Sequence, residues 1–127
     1  AGRVHFVGEQ ANAVDWYRLF DVLVLTSRED PYPLVCLEAG LVGTPVVSFD
    51  NGGMAELLDG ENGLVVPALD VEAMADAVGA LLEDPERRRA MGARLAEDVR
   101  SRHDTAVAAP RLYELLQRLL ADGRSPR

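Results

Sequence analysis

Between two apolar runs the sequence reads SREDPYPLVCLEAG, residues 27–40, with Glu29, Asp30 and Glu38 gathered around Pro31 and Pro33. Acidic side chains normally spread over a solvated face, so three in one short segment call for a reason. The two prolines stiffen the turn. Helix-forming residues follow, which puts the amides of Leu34 and Val35 in a first helical turn, where partial positive charge suits an anion such as a phosphate. Glu38 falls about one turn further in, on an otherwise apolar segment, where a carboxylate can accept both hydroxyls of a ribose. A plainer arrangement fits the same residues: Asp30 caps the helix and Glu38 bonds to the backbone. The local pattern leaves both open.

A second stretch, DNGGMAE (residues 50–56), sets Gly52 and Gly53 at a junction between a strand and a helix. Adjacent glycines let a backbone come close to a ligand, and they also simply make a turn. Neither G-x-G-x-x-G nor a Walker A motif occurs in the chain, so the usual dinucleotide and nucleoside-triphosphate signatures are absent. His5 and His103 have no partner at metal-ligand spacing, and no metal site is expected. His5 reads as a structural residue within a strand. Ser27 and Ser48 lack plausible His and Asp partners, which argues against a hydrolase triad.

The elements that must position these residues alternate. RVHFVG (3–8), VLVLTS (22–27), TPVVSF (44–49) and LVVPA (64–68) read as strands, about four in all. Val22, Val24 and Val46 lie in runs whose near-continuous aliphatic character predicts burial on both faces. VDWYRLF, PLVCLEAGLVG and MAELL read as helices between them. The alternation predicts a Rossmann-like parallel sheet flanked by helices, an α/β fold with ligands at the carboxyl ends of its strands. The loops there are 8–13, 26–33 and 49–54. Helices alone follow: one capped by Asp70 with Ala73 at the capping-box position, one opening at Pro85, and a last one with Pro110 near its start and an apolar stripe of Leu112, Leu115, Leu116 and Leu119. The tail ADGRSPR reads as frayed.

With 127 residues, nearly half of them apolar, the chain makes one domain over 1–127 with one core. A net charge of −8 argues against nucleic acid as a partner. The run Arg87, Arg88, Arg89 reads as a solvated helix face. Every one of the 13 basic residues is an arginine, so no step that needs a lysine can run on this chain. The single Cys36 reads as a small buried hydrophobe in a reducing, cytoplasmic compartment. No apolar run reaches membrane-spanning length.

In order and spacing, FVG (6–8), DVLVLTSREDPYPLVCLEAGLVGTPVVSFDNGGMAELL (21–58), GENGLVVPALDVEAMADAV (60–78) and LLEDPERRRAMGARLAEDV (81–99) resemble the C-terminal, donor-binding half of retaining GT-B glycosyltransferases of the group 1 (family 4) type. The family motif of Glu, seven residues, then Glu falls on Asp30 and Glu38. The resemblance implies that Asp30 contacts the donor sugar at the catalytic position, with Glu29 as a substitute, and that Glu38 binds the ribose. It implies that the backbone near Tyr32, Pro33, Leu34 and Val35 faces the sugar and diphosphate, with Pro33 lacking an N–H. Thr26 and Ser27 then line the floor, while Glu9 and Gln10 frame the base. The donor is a nucleotide-diphosphate sugar carrying a hexose; no cofactor is implied, and the acceptor, a sugar, lipid or small molecule, comes from an N-terminal half.

The chain departs from the family in carrying neither the two leading strands, with their Arg and Lys, nor that N-terminal half with its catalytic His. Each such electrostatic contribution is commonly about 3–4 kcal/mol. The expectations are therefore an isolated chain that is inactive and self-associates, from a bacterial-like enzyme in the cytoplasm, peripheral at the inner face of the membrane. Two other readings stand beside this one: a non-catalytic interaction module working with a partner chain, and a GT-B-like sugar-nucleotide epimerase.

Overall fold

A computed structural model describes residues 3–121 and 123. Helix α1 (Ala13–Tyr17) leads to strand β1 (Leu23–Leu25), α2 (Leu34–Leu41), β2 (Val46–Phe49), α3 (Met54–Leu57) and β3 (Leu64–Val66). Three helices then follow without interruption: α4 (Val71–Glu83), α5 (Pro85–His103) and α6 (Thr105–Ala121). The strands form one parallel sheet in the order β1-β2-β3, with Val24 opposite Val47 and Ser48 opposite Val65.

The sheet separates two apolar layers. On one face Leu25, Val46, Cys36, Ala39, Met54 and Leu95 pack together beneath α2 and α5. On the other, Val47, Phe49 and Val66 meet Met74 and Leu81 of α4 and Met91 of α5. Helices α2 and α5 cross closely because glycines lie at the crossing. A Cβ on Gly40 would sit 2.7 Å from Leu95 Cγ, and one on Gly92 would sit 2.0 Å from the Gly43 carbonyl oxygen.

Side-chain caps fix the N-termini of α4 and α5. The Asp70 carboxylate accepts from the Ala73 amide, and the Asp84 carboxylate accepts from the Arg87 amide with Pro85 opening α5. Each such cap contributes about 1 kcal/mol.

Four expectations need correction. RVHFVG forms no strand: residues 3–10 are exposed, and Phe6 is 97 % exposed. A strand exists only where another supplies its ladder, and among the described residues none lies beside this segment. His5 is accordingly exposed and belongs to no strand. Burial on both faces holds for β2 alone. Val24 is 37 % exposed on β1, an edge strand among the described residues, while α4 packs chiefly over β2 and β3. Finally, Arg88 is no solvated residue: it is half-buried, pairs with Asp21 at 2.7 Å, and donates to the carbonyls of Leu81 and Leu82. The predicted frayed tail falls largely outside the described residues.

Leu69, between β3 and α4, has φ of +62°. That conformation costs a residue with a Cβ about 1–2 kcal/mol, while glycine adopts it freely at some cost in unfolded-state entropy. Leu69 is mostly exposed, so little packing is lost on truncation. Leu69→Gly is expected to stabilise the chain by about 0.5–1 kcal/mol, read as a raised melting midpoint. A lowered midpoint would show that the side chain contributes more than its backbone costs.

Candidate functional site

The segment 26–33 connects β1 to α2 at the carboxyl end of the sheet. Pro33 is the residue before α2, and no side chain caps the helix. The Asp30 carboxylate therefore does not take up the capping role that local sequence allowed. The Cys36 amide bonds the Pro33 carbonyl at 3.1 Å, so the Leu34 and Val35 amides stand ahead of the first helical bond. Both residues are exposed, as a site for an anion requires.

Glu38 lies in the second turn of α2 and is exposed. Its Oε2 accepts a hydrogen bond from the Tyr17 hydroxyl at 3.2 Å. Tyr17 is buried, and its own position is fixed from below, where Thr44 Oγ1 donates to the Tyr17 carbonyl at 2.7 Å. Burial first, then the charge of Glu38 and the hydrogen bond to it, hold the Tyr17 phenol above its ordinary range. The phenol thus stays protonated and orients one carboxylate oxygen, while the carboxylate remains open to solvent for a second partner. Nothing in the local sequence marks Tyr17 for this role, because the two residues are 21 positions apart.

The turn carrying Asp30 is clasped by the loop after β2. Asn51 Nδ2 donates to the Ser27 carbonyl, and the Gly53 amide donates to the Pro31 carbonyl at 2.7 Å. Among the described residues the buried Asn51 Oδ1 has no partner, and the Nδ2 bond is the side chain's one hydrogen bond there. Gly52 has φ of +52°, and a Cβ there would lie 2.0 Å from the Asp30 carbonyl oxygen. A Cβ on Gly53 would lie 2.3 Å from the Tyr32 ring. The adjacent glycines do permit a close approach, but what approaches is the neighbouring loop. The far side of Tyr32 meets α5: its hydroxyl lies 3.3 Å from His103 Nε2.

Asp30 also acts inward. Burial, and after it the Asp30 charge, push the Cys36 thiol up to about 12. Cys36 is fully buried and keeps its proton, so it is a packing residue and no nucleophile.

Other predicted site residues are spread more widely. Ser27 gives its carbonyl to Asn51, and Glu29 is exposed. Thr26 lines a cleft of about 340 Å³ with Arg28, Phe49 and Leu69, on the α4 side of the sheet. Glu9 is exposed; Gln10 accepts from Trp16 Nε1 at 3.1 Å and donates to the Val7 carbonyl at 2.6 Å. A second cleft, of about 290 Å³, separates α2 from the joint of α5 and α6, with Glu38 and His103 on its walls. Asp30, Tyr32, Leu34, Val35 and Glu38 are thus brought into one crossover, and Glu9 and Gln10 lie in the exposed segment ahead of α1.

The three-stranded parallel sheet flanked by helices is the fold of one half of a GT-B glycosyltransferase, shared with solved structures of that kind. The chain belongs to the glycosyl transferases group 1 family, whose model matches residues 1–84. It is 43 % identical over 96 residues to the lipopolysaccharide core biosynthesis mannosyltransferase LpsB of Rhizobium meliloti, covering 73 % of this chain and 27 % of that protein. Among solved structures it resembles the sucrose-phosphate synthase of Thermosynechococcus elongatus, with a TM-score of 0.83 and 34 % identity over 94 % of this chain and 31 % of that one. It also resembles Anabaena HepE in complex with UDP, with a TM-score of 0.87 and 27 % identity over 92 % of this chain and 33 % of that one. The chain therefore spans between a quarter and a third of the length of these relatives.

Proposed function

We propose that this chain is the donor-binding part of a retaining glycosyltransferase, which moves a hexose from a nucleotide diphosphate to an acceptor sugar, lipid or small molecule. The observation that carries the reading is the β1–α2 crossover. It presents the Asp30 turn, the leading amides of α2 and the exposed, Tyr17-oriented Glu38 along one short path. In this reading the amides at Leu34 and Val35 receive the diphosphate, Asp30 meets the donor sugar with Glu29 beside it, and Glu38 accepts the ribose hydroxyls. That HepE is solved with UDP and with UDP-glucose supports a nucleotide-sugar donor. In this reading the complete enzyme works in the cytoplasm, peripheral at the inner face of the membrane, and the free thiol of Cys36 suits that reducing compartment.

The acceptor site and the cations that balance the leaving diphosphate lie outside residues 1–127 in this reading. UDP-glucose titrated into the chain is expected to bind without being hydrolysed or transferred. Turnover that follows the chain through purification, and vanishes in Asp30→Ala, would overturn the assignment of an inactive part.

The surface adds a second expectation. Every residue of α6 from Ala108 onward is exposed, including Leu112, Leu115, Leu116 and Leu119, and β1 leaves one edge of the sheet unpaired among the described residues. Apolar stripes and open edges associate. Sedimentation should show self-association rising with concentration in the micromolar range; a thermally robust monomer throughout would contradict it.

A further inference from the structure

The acidic turn is gripped from two directions, and the second grip comes from the far end of the chain. His103 closes α5, 71 positions beyond Tyr32, with the two rings 5.7 Å apart and inclined at 40°. The Tyr32 ring is wedged between that imidazole and the backbone at Gly53, which leaves the turn little freedom to move without moving the ring. On its other side His103 borders the cleft that Glu38 also lines. One imidazole therefore touches the Asp30 turn and faces the Glu38 cleft.

We infer that His103 is a positioning residue for the donor turn, setting the placement of residues 30–34 through its hydrogen bond to the Tyr32 hydroxyl. The contact itself is independent of what the site binds; its consequence for a sugar nucleotide rests on the function proposed above.

The chemistry of the pair gives the arrangement a direction. With a neutral ring protonated on Nδ1, Nε2 accepts from the Tyr32 hydroxyl; a protonated ring must donate instead, and the phenol turns its proton elsewhere. The charged and titratable groups facing the pair are Asp98, Arg100 and Arg102 of α5, Asp104 at the joint, Glu38 of α2 across the cleft, and Glu56 of α3 toward Tyr32. Burial is the largest influence on the ring and Arg102 the next, both favouring the neutral form, with Asp98 opposing them. The ring consequently titrates below its ordinary 6.5. The accepting arrangement holds at neutral pH and is lost as pH falls through that lowered value.

The test is an NMR pH titration of the isotopically labelled chain, in which only two histidine rings need assignment. The amides of Asp30, Tyr32 and Leu34 are expected to shift with the inflection of the His103 ring. In Tyr32→Phe the ring should still titrate while the turn amides lose that inflection. In His103→Gln, whose amide oxygen can accept from the Tyr32 hydroxyl as the neutral ring does, the amides should stay near their neutral-pH positions at every pH; in His103→Leu they should be displaced at every pH. Turn amides that show no inflection in the parent, or one that persists in Tyr32→Phe and so acts through space, would overturn the inference. Titration with UDP-glucose above and below the inflection separates the two proposals. Several-fold weaker binding at the lower pH, absent in Tyr32→Phe, supports both. No binding at any pH, with the turn still following His103, upholds the positioning role and removes the donor reading.

Discussion

Gly52→Ala is expected to destabilise the chain by about 3 kcal/mol or more, the sum of a left-handed backbone cost and an overpacking cost. Gly52 sits at φ of +52°, and the added methyl would be centred 2.0 Å from the Asp30 carbonyl oxygen. No flexible side chain can give way there, because the obstacle is backbone. The two loops must part, which breaks the Gly53 amide bond to Pro31 and loosens the Asn51 grip on Ser27. Against a total stability of about 5–15 kcal/mol for a domain, that is a large fraction. Gly60 provides the control. It too is left-handed, at φ of +92°, but a Cβ there meets nothing within 4 Å. Gly60→Ala should cost only the conformational part, about 1–2 kcal/mol. Denaturant unfolding of the two variants side by side isolates the loop-on-loop contact. Equal costs would mean that the clasp on the Asp30 turn does not exist.

How far the sequence carried this account depended on the range of the interaction. The Asp70 and Asp84 caps and Pro85 act over three residues or fewer, and the boundaries of α4 and α5 follow from them. The apolar run at β2 is buried throughout, as its aliphatic pattern required. RVHFVG has the same local pattern and forms no strand, because pairing depends on a neighbour that periodicity cannot reveal. At the candidate site, the placement of the Asp30 turn and of Glu38 within one β1–α2 crossover was legible from residue type and spacing. Tyr17, Asn51 and His103 were not. Their contacts reach 21, 24 and 71 positions along the chain, and each is an ordinary residue in its own segment. Gly52 and Gly53 fell between these cases: the close approach was legible, and its partner was not.

The central claim is that Glu38 receives the ribose of a sugar nucleotide, and its most direct test is calorimetry of UDP with the parent chain and Glu38→Gln. Glutamine keeps the size of the side chain and one acceptor oxygen but removes the charge. Glu38 is exposed, so the fold should tolerate the change. Hydrogen bonds to a charged group are each about 1.5–3 kcal/mol, so the variant should bind UDP about ten- to a hundredfold more weakly. Weakened binding of that size, in a variant with an unchanged melting midpoint, is the result this account predicts; equal affinity of the two folded proteins for UDP would contradict it.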